Sequence, residues 1–238
     1  MSSQKTQPTA AQLFAAELFG TWALTLFGPA SVVSLVSILG GGAAALFGIG
    51  ATFGFIVMIM IYTLGHISGT HINPSVTIAL TTVGRFPAKL IGLYIAAQII
   101  GSVIAGLCLY GMYPGVGKAV HFGSTLPGPG VSDGAAVLIE ILLTMWLLFV
   151  IMGVAVDKRA PPGWAGFTIG MIVAADIWIA GPLTGASMNF ARSLAPAIAA
   201  TMAEDILPLS KVWIYLVGPI IGGITGAALY EYIFRPAK

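Results

Sequence analysis

SGTHINPSVT (residues 68–77) and GASMNFARSLAP (residues 185–196) decide the fold of this chain, because they are two copies of one unusual object. In the first, Asn73 is a favoured helix N-cap, and Pro74 suits the first helical position, where an amide has no partner to lose. Gly69, Thr70 and His71 then run into a short helix as extended backbone, with their carbonyls free to act as acceptors. Taken alone, an Asn-Pro pair marks a surface turn that starts an amphipathic helix. Here the surrounding stretch, THINPSVTIALTTVGR, is too short to cross a bilayer as a helix and too apolar for an ordinary surface loop. The second copy repeats the pattern: Asn189 caps, and Gly185, Ala186 and Ser187 supply the approaching carbonyls. The pair reads as two half-helices dipping partway into a membrane, a geometry tolerated only where protein or a water-filled cavity surrounds it.

The rest of the chain supplies that surrounding. Of its 238 residues 58% are hydrophobic and only 8% charged, against about a quarter charged in a soluble domain. Apolar stretches near the roughly 20 residues needed to cross a bilayer recur from end to end. Period-2 alternation is missing, so helices rather than a barrel are expected. Six spans are expected, at about 11–38, 44–65, 87–112, 134–156, 164–182 and 209–234. The fold class expected is therefore an all-α membrane protein: six tilted transmembrane helices plus two re-entrant half-helices. A net charge of +2 points to no nucleic-acid partner, and the single cysteine, Cys108, rules out an internal disulfide. The polar start MSSQKTQPTAAQ gives no sign of a cleavable signal peptide.

Cations orient the spans. Lys5, Arg85, Lys89, Lys158, Arg159, Arg235 and Lys238 fall on one side, Lys118 and Lys211 on the other, and Arg192 lies in the second dipping segment. By the positive-inside rule both termini are expected in the cytoplasm. The halves also repeat: Glu17 with Thr21 matches Glu140 with Thr144, Asn73 matches Asn189, and QIIGSVIAG (98–106) resembles PIIGGITGA (219–227). Repeat one covers about 11–112, repeat two about 134–234, and a Gly/Pro-rich loop at about 113–133 joins them in a single channel domain. Three spans per half is an odd number, so the second copy is inserted upside down, which puts a solute site at the midplane.

The chemistry follows from that inversion. The two half-helix N-termini meet near the membrane centre, each bearing roughly half a positive charge. They repel cations, hydronium included, without a charged side chain. The amides of Asn73 and Asn189 can both donate to one water oxygen, so that water points its hydrogens away along the pore and proton hopping is interrupted. Glu17 and Glu140, buried in their spans, are expected to accept hydrogen bonds from the non-helical backbone of the dipping segments. As proton-relay groups they would instead suggest a transporter. His66 and His71 have no Cys or acid at ligand spacing, so neither a metal nor another cofactor is expected. Arg192 is a functional candidate, since an intramembrane arginine is costly; the bland alternative pairs it with Asp176 as a structural ion pair.

These motifs, with GHISG (65–69), resemble those of the aquaporin or major intrinsic protein family, over nearly the whole chain. The resemblance implies six helices and two half-helices around one pore per subunit, usually in a homotetramer. It places Arg192 in a selectivity filter with Phe53, Ile177 and Ala186, and His66 and His71 near the cytoplasmic half of the pore. Family members selective for water typically have His where Ile177 stands; Ile177 with Ala186 resembles archaeal-type members and leaves room for glycerol. Ser193 after the arginine follows water channels, so water and glycerol both stay open. The second motif departs from the family at Phe190, where Pro is usual. The Asn189 cap is expected to survive, with Pro74 meeting an aromatic ring.

The function expected is a passive channel in the cell membrane for water, and for small neutral solutes such as glycerol, closed to protons and ions. The rivals are a secondary transporter, disfavoured because neither dipping segment contains Asp or Glu, and a structural or junctional membrane protein occluded by Phe190. No nucleophile–base pair, phosphate loop or metal set points to an enzyme.

Overall fold

A computed structural model describes residues 7–235; Lys5 and Lys238, two of the cations that orient the spans, lie outside the described residues. Six helices are long and apolar enough to cross a membrane: Ala10–Ile38, Ala43–Ser68, Ala88–Met112, Asp133–Val156, Ala165–Thr184 and Leu207–Phe234. Between them lie two helices too short to do so. In chain order the α-helices are α1 (Ala10–Val32), α2 (Ala43–Ser68), α3 (Pro74–Thr82), α4 (Ile91–Met112), α5 (Asp133–Ile151), α6 (Ala165–Thr184), α7 (Phe190–Met202), α8 (Leu207–Lys211) and α9 (Ile214–Leu229).

Local signals set the ends. Thr9 begins α1 with a capping box, its hydroxyl accepting from the Gln12 amide at 3.3 Å while the Gln12 side chain accepts from the Thr9 amide at 2.8 Å. Ser132 caps α5 through the Ala135 amide at 3.2 Å. The second and fifth spans run past the limits expected from hydropathy, to Ser68 and Thr184. Both end in the same way, on a left-handed C-cap glycine, Gly69 (φ 83°) and Gly185 (φ 81°). The polar letters of GHISG thus belong to the last turn of a helix. Three spans end in a π-helical turn, at Val33–Ile38, Met152–Val156 and Tyr230–Phe234.

Packing exchanges partners between the halves. Within each half the outer spans pair, α1 with α4 and α5 with α9, and α2 crosses to α6. Each half-helix crosses too: α7 lies against α4, and α3 against α9. Backbones come close where side chains vanish. A Cβ on Gly101 would stand 2.5 Å from the Leu18 carbonyl oxygen, and one on Gly222 would stand 2.2 Å from that of Ile141, the small-residue contact that membrane helices favour.

Burial is inverted relative to a soluble domain. Phe19, Phe55, Trp146 and Ile179 are exposed on the outside, whereas Glu17, Thr21, Gln98, Glu140 and Thr144 are wholly buried. Hydrocarbon rewards the first group, and only internal hydrogen bonds permit the second.

Candidate functional site

The chain between α2 and α3, and that between α6 and α7, is strained in the same places. Thr70 (φ 50°) and Ile72 (φ 44°) have left-handed backbones, as do Ala186 (φ 43°) and Met188 (φ 55°). Non-glycine residues hold such conformations only when their surroundings over-determine them. Two buried carboxylates do so here. Glu17 accepts from the Ser68 hydroxyl (2.7 Å), the His71 amide (2.9 Å), the Ile72 amide (2.7 Å) and Gln98 Nε2 (2.8 Å). Glu140 accepts from the Thr184 hydroxyl (2.8 Å), the Ser187 amide (2.9 Å) and the Met188 amide (2.7 Å). Tyr94 donates to the Ser68 carbonyl at 2.7 Å and Tyr215 to the Thr184 carbonyl at 2.8 Å. These bonds fix the amides of the strained segments on the two glutamates.

Each segment ends in an asparagine N-cap, and the two caps clasp each other. Asn73 Oδ1 accepts from the Ser75 amide at 2.9 Å, and Asn189 Oδ1 from the Arg192 amide at 3.3 Å. Asn73 Nδ2 donates to the Met188 carbonyl at 2.8 Å, and Asn189 Nδ2 donates to the Ile72 carbonyl at 2.9 Å. The N-terminal ends of α3 and α7 therefore face one another. A primary amide has two hydrogens, so the clasp uses one on each asparagine. Phe190, at the first position of α7, is half-buried, and Asn189 keeps its cap beside it.

A cavity of about 230 Å³ adjoins this clasp. Both asparagines line it, together with Gly69, Thr70, His71, Ala186 and Ser187. Gly185 does not share that wall: a Cβ there would stand 2.9 Å from Thr125 Cα, so this glycine packs against the loop between α4 and α5. Glu17 and Glu140 lie behind the wall. His71 lines the cavity, its Nδ1 3.0 Å from the Thr77 hydroxyl, whereas His66 is exposed on the last turn of α2 and is not part of the lining.

Phe53, Ile177, Ala186 and Arg192 also line the cavity and are buried. The Arg192 guanidinium stands 4.6 Å from the Phe53 ring centroid, a cation–π distance. Its Nη1 donates to the Gly123 carbonyl at 3.0 Å. Among the described residues Arg192 forms no ion pair with Asp176, and Asp176 Oδ2 has no hydrogen-bond partner. The structural-pair alternative for Arg192 is thereby set aside. The partner it does have comes from a loop whose sequence announces no site. At the other end of the cavity Arg85 contributes to the lining, and Glu231 of the last span pairs with it. Beyond the spans, bonds from Arg159 hold the Asp157 carboxyl well below the usual carboxylate range.

Several partners went unread in the sequence. Ser68 and Thr184 each stand five residues before an asparagine, and Tyr94 and Tyr215 each stand four before the matched QIIG and PIIG segments. Extending the repeat alignment outward finds both pairs. No such signal marks Gly123.

An all-helical bundle in which two half-helices meet tip to tip beside a cavity lined by both of their caps has the architecture of a membrane channel. The family model described as "Major intrinsic protein" matches residues 4–230, and this chain belongs to that family. It is 43% identical over 222 residues to a probable aquaporin, NIP4-2, of Arabidopsis thaliana, covering 93% of this chain and 74% of that one. It is 41% identical over 247 residues to a probable aquaporin, AqpM, of Archaeoglobus fulgidus, covering 95% and 98%. An X-ray structure of the aquaglyceroporin from Plasmodium falciparum has the same fold, with a TM-score of 0.83 at 24% identity over 95% of this chain and 97% of that one.

Proposed function

We propose that this protein is a passive channel for water, and for small neutral solutes such as glycerol, that excludes protons and ions. The observation that carries the reading is the reciprocal clasp of Asn73 and Asn189 at the wall of a cavity that both of them line. A water at the clasp accepts from the free amide hydrogen of each asparagine, and its own hydrogens then point outward along the file in both directions. Proton hopping needs a water able to reverse its donor direction, and this one is held against reversal. Two facing helix N-termini add a positive potential that raises the barrier to cations.

Phe53, Ile177, Ala186 and Arg192 form the selectivity filter. Arg192 repels cations and donates to the passing oxygen. Ile177 and Ala186 are apolar and leave room on the opposite wall, which suits a solute with a hydrocarbon edge as well as water. The carbonyls of Gly69, Thr70, His71, Ala186 and Ser187 provide acceptors along the path. The relatives carry the name aquaporin, which supports water as a permeant. The chain acts as one channel domain per subunit in a homotetramer in the cell membrane, with both termini in the cytoplasm, as the positive-inside rule requires.

The test is reconstitution in liposomes with stopped-flow light scattering, first against an impermeant osmolyte and then against glycerol, with an internal pH dye for proton leak. Rapid shrinkage without acidification fits the proposal, and re-swelling in glycerol extends it to that solute. Flux equal to that of empty liposomes would overturn it.

A further inference from the structure

We propose that His121 and Asp205 are positioning residues for Arg192, acting by bolting down the turn whose carbonyl holds its guanidinium. The proposal rests on the reading of Arg192 as the filter cation. In the loop between α4 and α5, His121, Phe122 and Gly123 have φ of 49°, 54° and 77° in succession. Such a run of left-handed residues persists only under outside restraint. Phe122 is buried against Leu109, Ala199 and Ala200. The Ser124 hydroxyl donates to the His121 carbonyl at 2.6 Å. The third restraint is the pair itself: His121 Nδ1 lies 2.5 Å from Asp205 Oδ2.

That pair ties the turn by a polar contact to the end of α7, the helix that also supplies Ala199 and Ala200 to the packing of Phe122. Asp205 stands three residues past the end of α7, and its amide donates to the Ala200 carbonyl of that helix at 2.9 Å. Arg192 is on the first turn of the same helix. The contacts therefore close a ring, from Arg192 along α7 to Asp205, across to His121, and through the turn to Gly123 and back to Arg192. Among the described residues the Gly123 carbonyl is the guanidinium's one hydrogen-bond acceptor, and Arg192 Nε has none. The aim of the cation is thus set by where the turn presents that oxygen. Neither His121 nor Asp205 lines the cavity, so both act through Gly123 and not on the solute.

The experiment compares glycerol-to-water permeability ratios in proteoliposomes. The variants are His121→Ala, Asp205→Asn, the swap His121→Asp with Asp205→His, Arg192→Val, and the two single changes placed on Arg192→Val. Asp205→Asn keeps the shape and the oxygen that faces the Leu207 amide, so it carries the test if His121→Ala yields no folded protein. Each single change should raise the ratio about threefold, the value of one ordinary hydrogen bond. The swap should return it toward wild type, and neither change should alter it further on Arg192→Val. If Arg192→Val shifts the ratio but the single changes do not, the filter reading stands and this proposal falls. A shift that persists unchanged on Arg192→Val also overturns it, because the loop would then act by a route other than the arginine. If Arg192→Val leaves the ratio unaltered, the filter reading fails and takes the proposal with it.

Discussion

The two halves of this chain build the same anchor from different sequence, and they part company three residues beyond their asparagines. Before the asparagines the bonds of the strained segments to glutamate and tyrosine match one for one, whereas the caps differ, Asn73 Oδ1 accepting from the amide two residues on and Asn189 Oδ1 from the amide three on. Ser68 and Thr184 each donate to a buried glutamate, each is followed by two amides donating to that glutamate, and each lends its carbonyl to a tyrosine. Three residues beyond the asparagines the first half carries Val76 and the second Arg192. The glutamate's fourth donor, Gln98, also has no counterpart, since Pro219 stands in its place. Most of what holds the chain is duplicated, and the cation proposed for the filter occurs once.

The most severe way to break this comparison is to remove an anchor. Glu17→Leu strands four buried donors and Glu140→Leu three. At about 1–3 kcal/mol for each stranded donor the loss approaches the whole stability of a domain. Both variants should fail to give a monodisperse peak in detergent size-exclusion chromatography. A well-behaved Glu140→Leu would mean that the second half does not depend on its anchor as the first does.

Arg192→Val makes the second half imitate the first at that position. It should raise the glycerol-to-water permeability ratio about tenfold, equivalent to about 1.4 kcal/mol of barrier. Val76→Ala should leave the ratio within about twofold, because the first half is assigned no discriminating group there. Equal effects from the two would dissolve the distinction between anchor and filter.

Smaller effects sharpen the equivalence. Tyr94→Phe and Tyr215→Phe each remove one buried hydrogen bond to a carbonyl, and each should cost about 1 kcal/mol by thermal unfolding in detergent. A large inequality would locate a support present in only one half. Phe190→Pro restores the identity with Pro74. Its amide lies in the first helical turn, where no intrahelical partner is lost, so the change should stabilise by about 0.4–1 kcal/mol with water flux unaltered. Loss of stability would show that the Phe190 ring packs in a way proline cannot replace.

Much of this was legible beforehand because the membrane restricts the choices so tightly. Spans, half-helices and the duplication all follow from apolar length and repeated caps. The hydropathy limits fell short at Ser68 and Thr184 because polar residues in the last turn of a helix look like loop when read as letters. His66 and Gly185 show a second limit, since sequence neighbours of a cavity residue need not line the cavity. His66 points out from α2, and Gly185 is taken by Thr125.

The sequence by itself determined the membrane class, the inverted pairing and the residues able to cap, because each depends on local composition or on spacing along the chain. Only the tertiary structure decided that the two asparagines clasp each other's backbone, and that Arg192 rests on Phe53 with its guanidinium held by Gly123. Those contacts join residues that are distant in sequence, and the acceptors of their hydrogen bonds are backbone carbonyls, which every position has. Which carbonyl is in reach is a matter of chain path, and no side-chain letter records it.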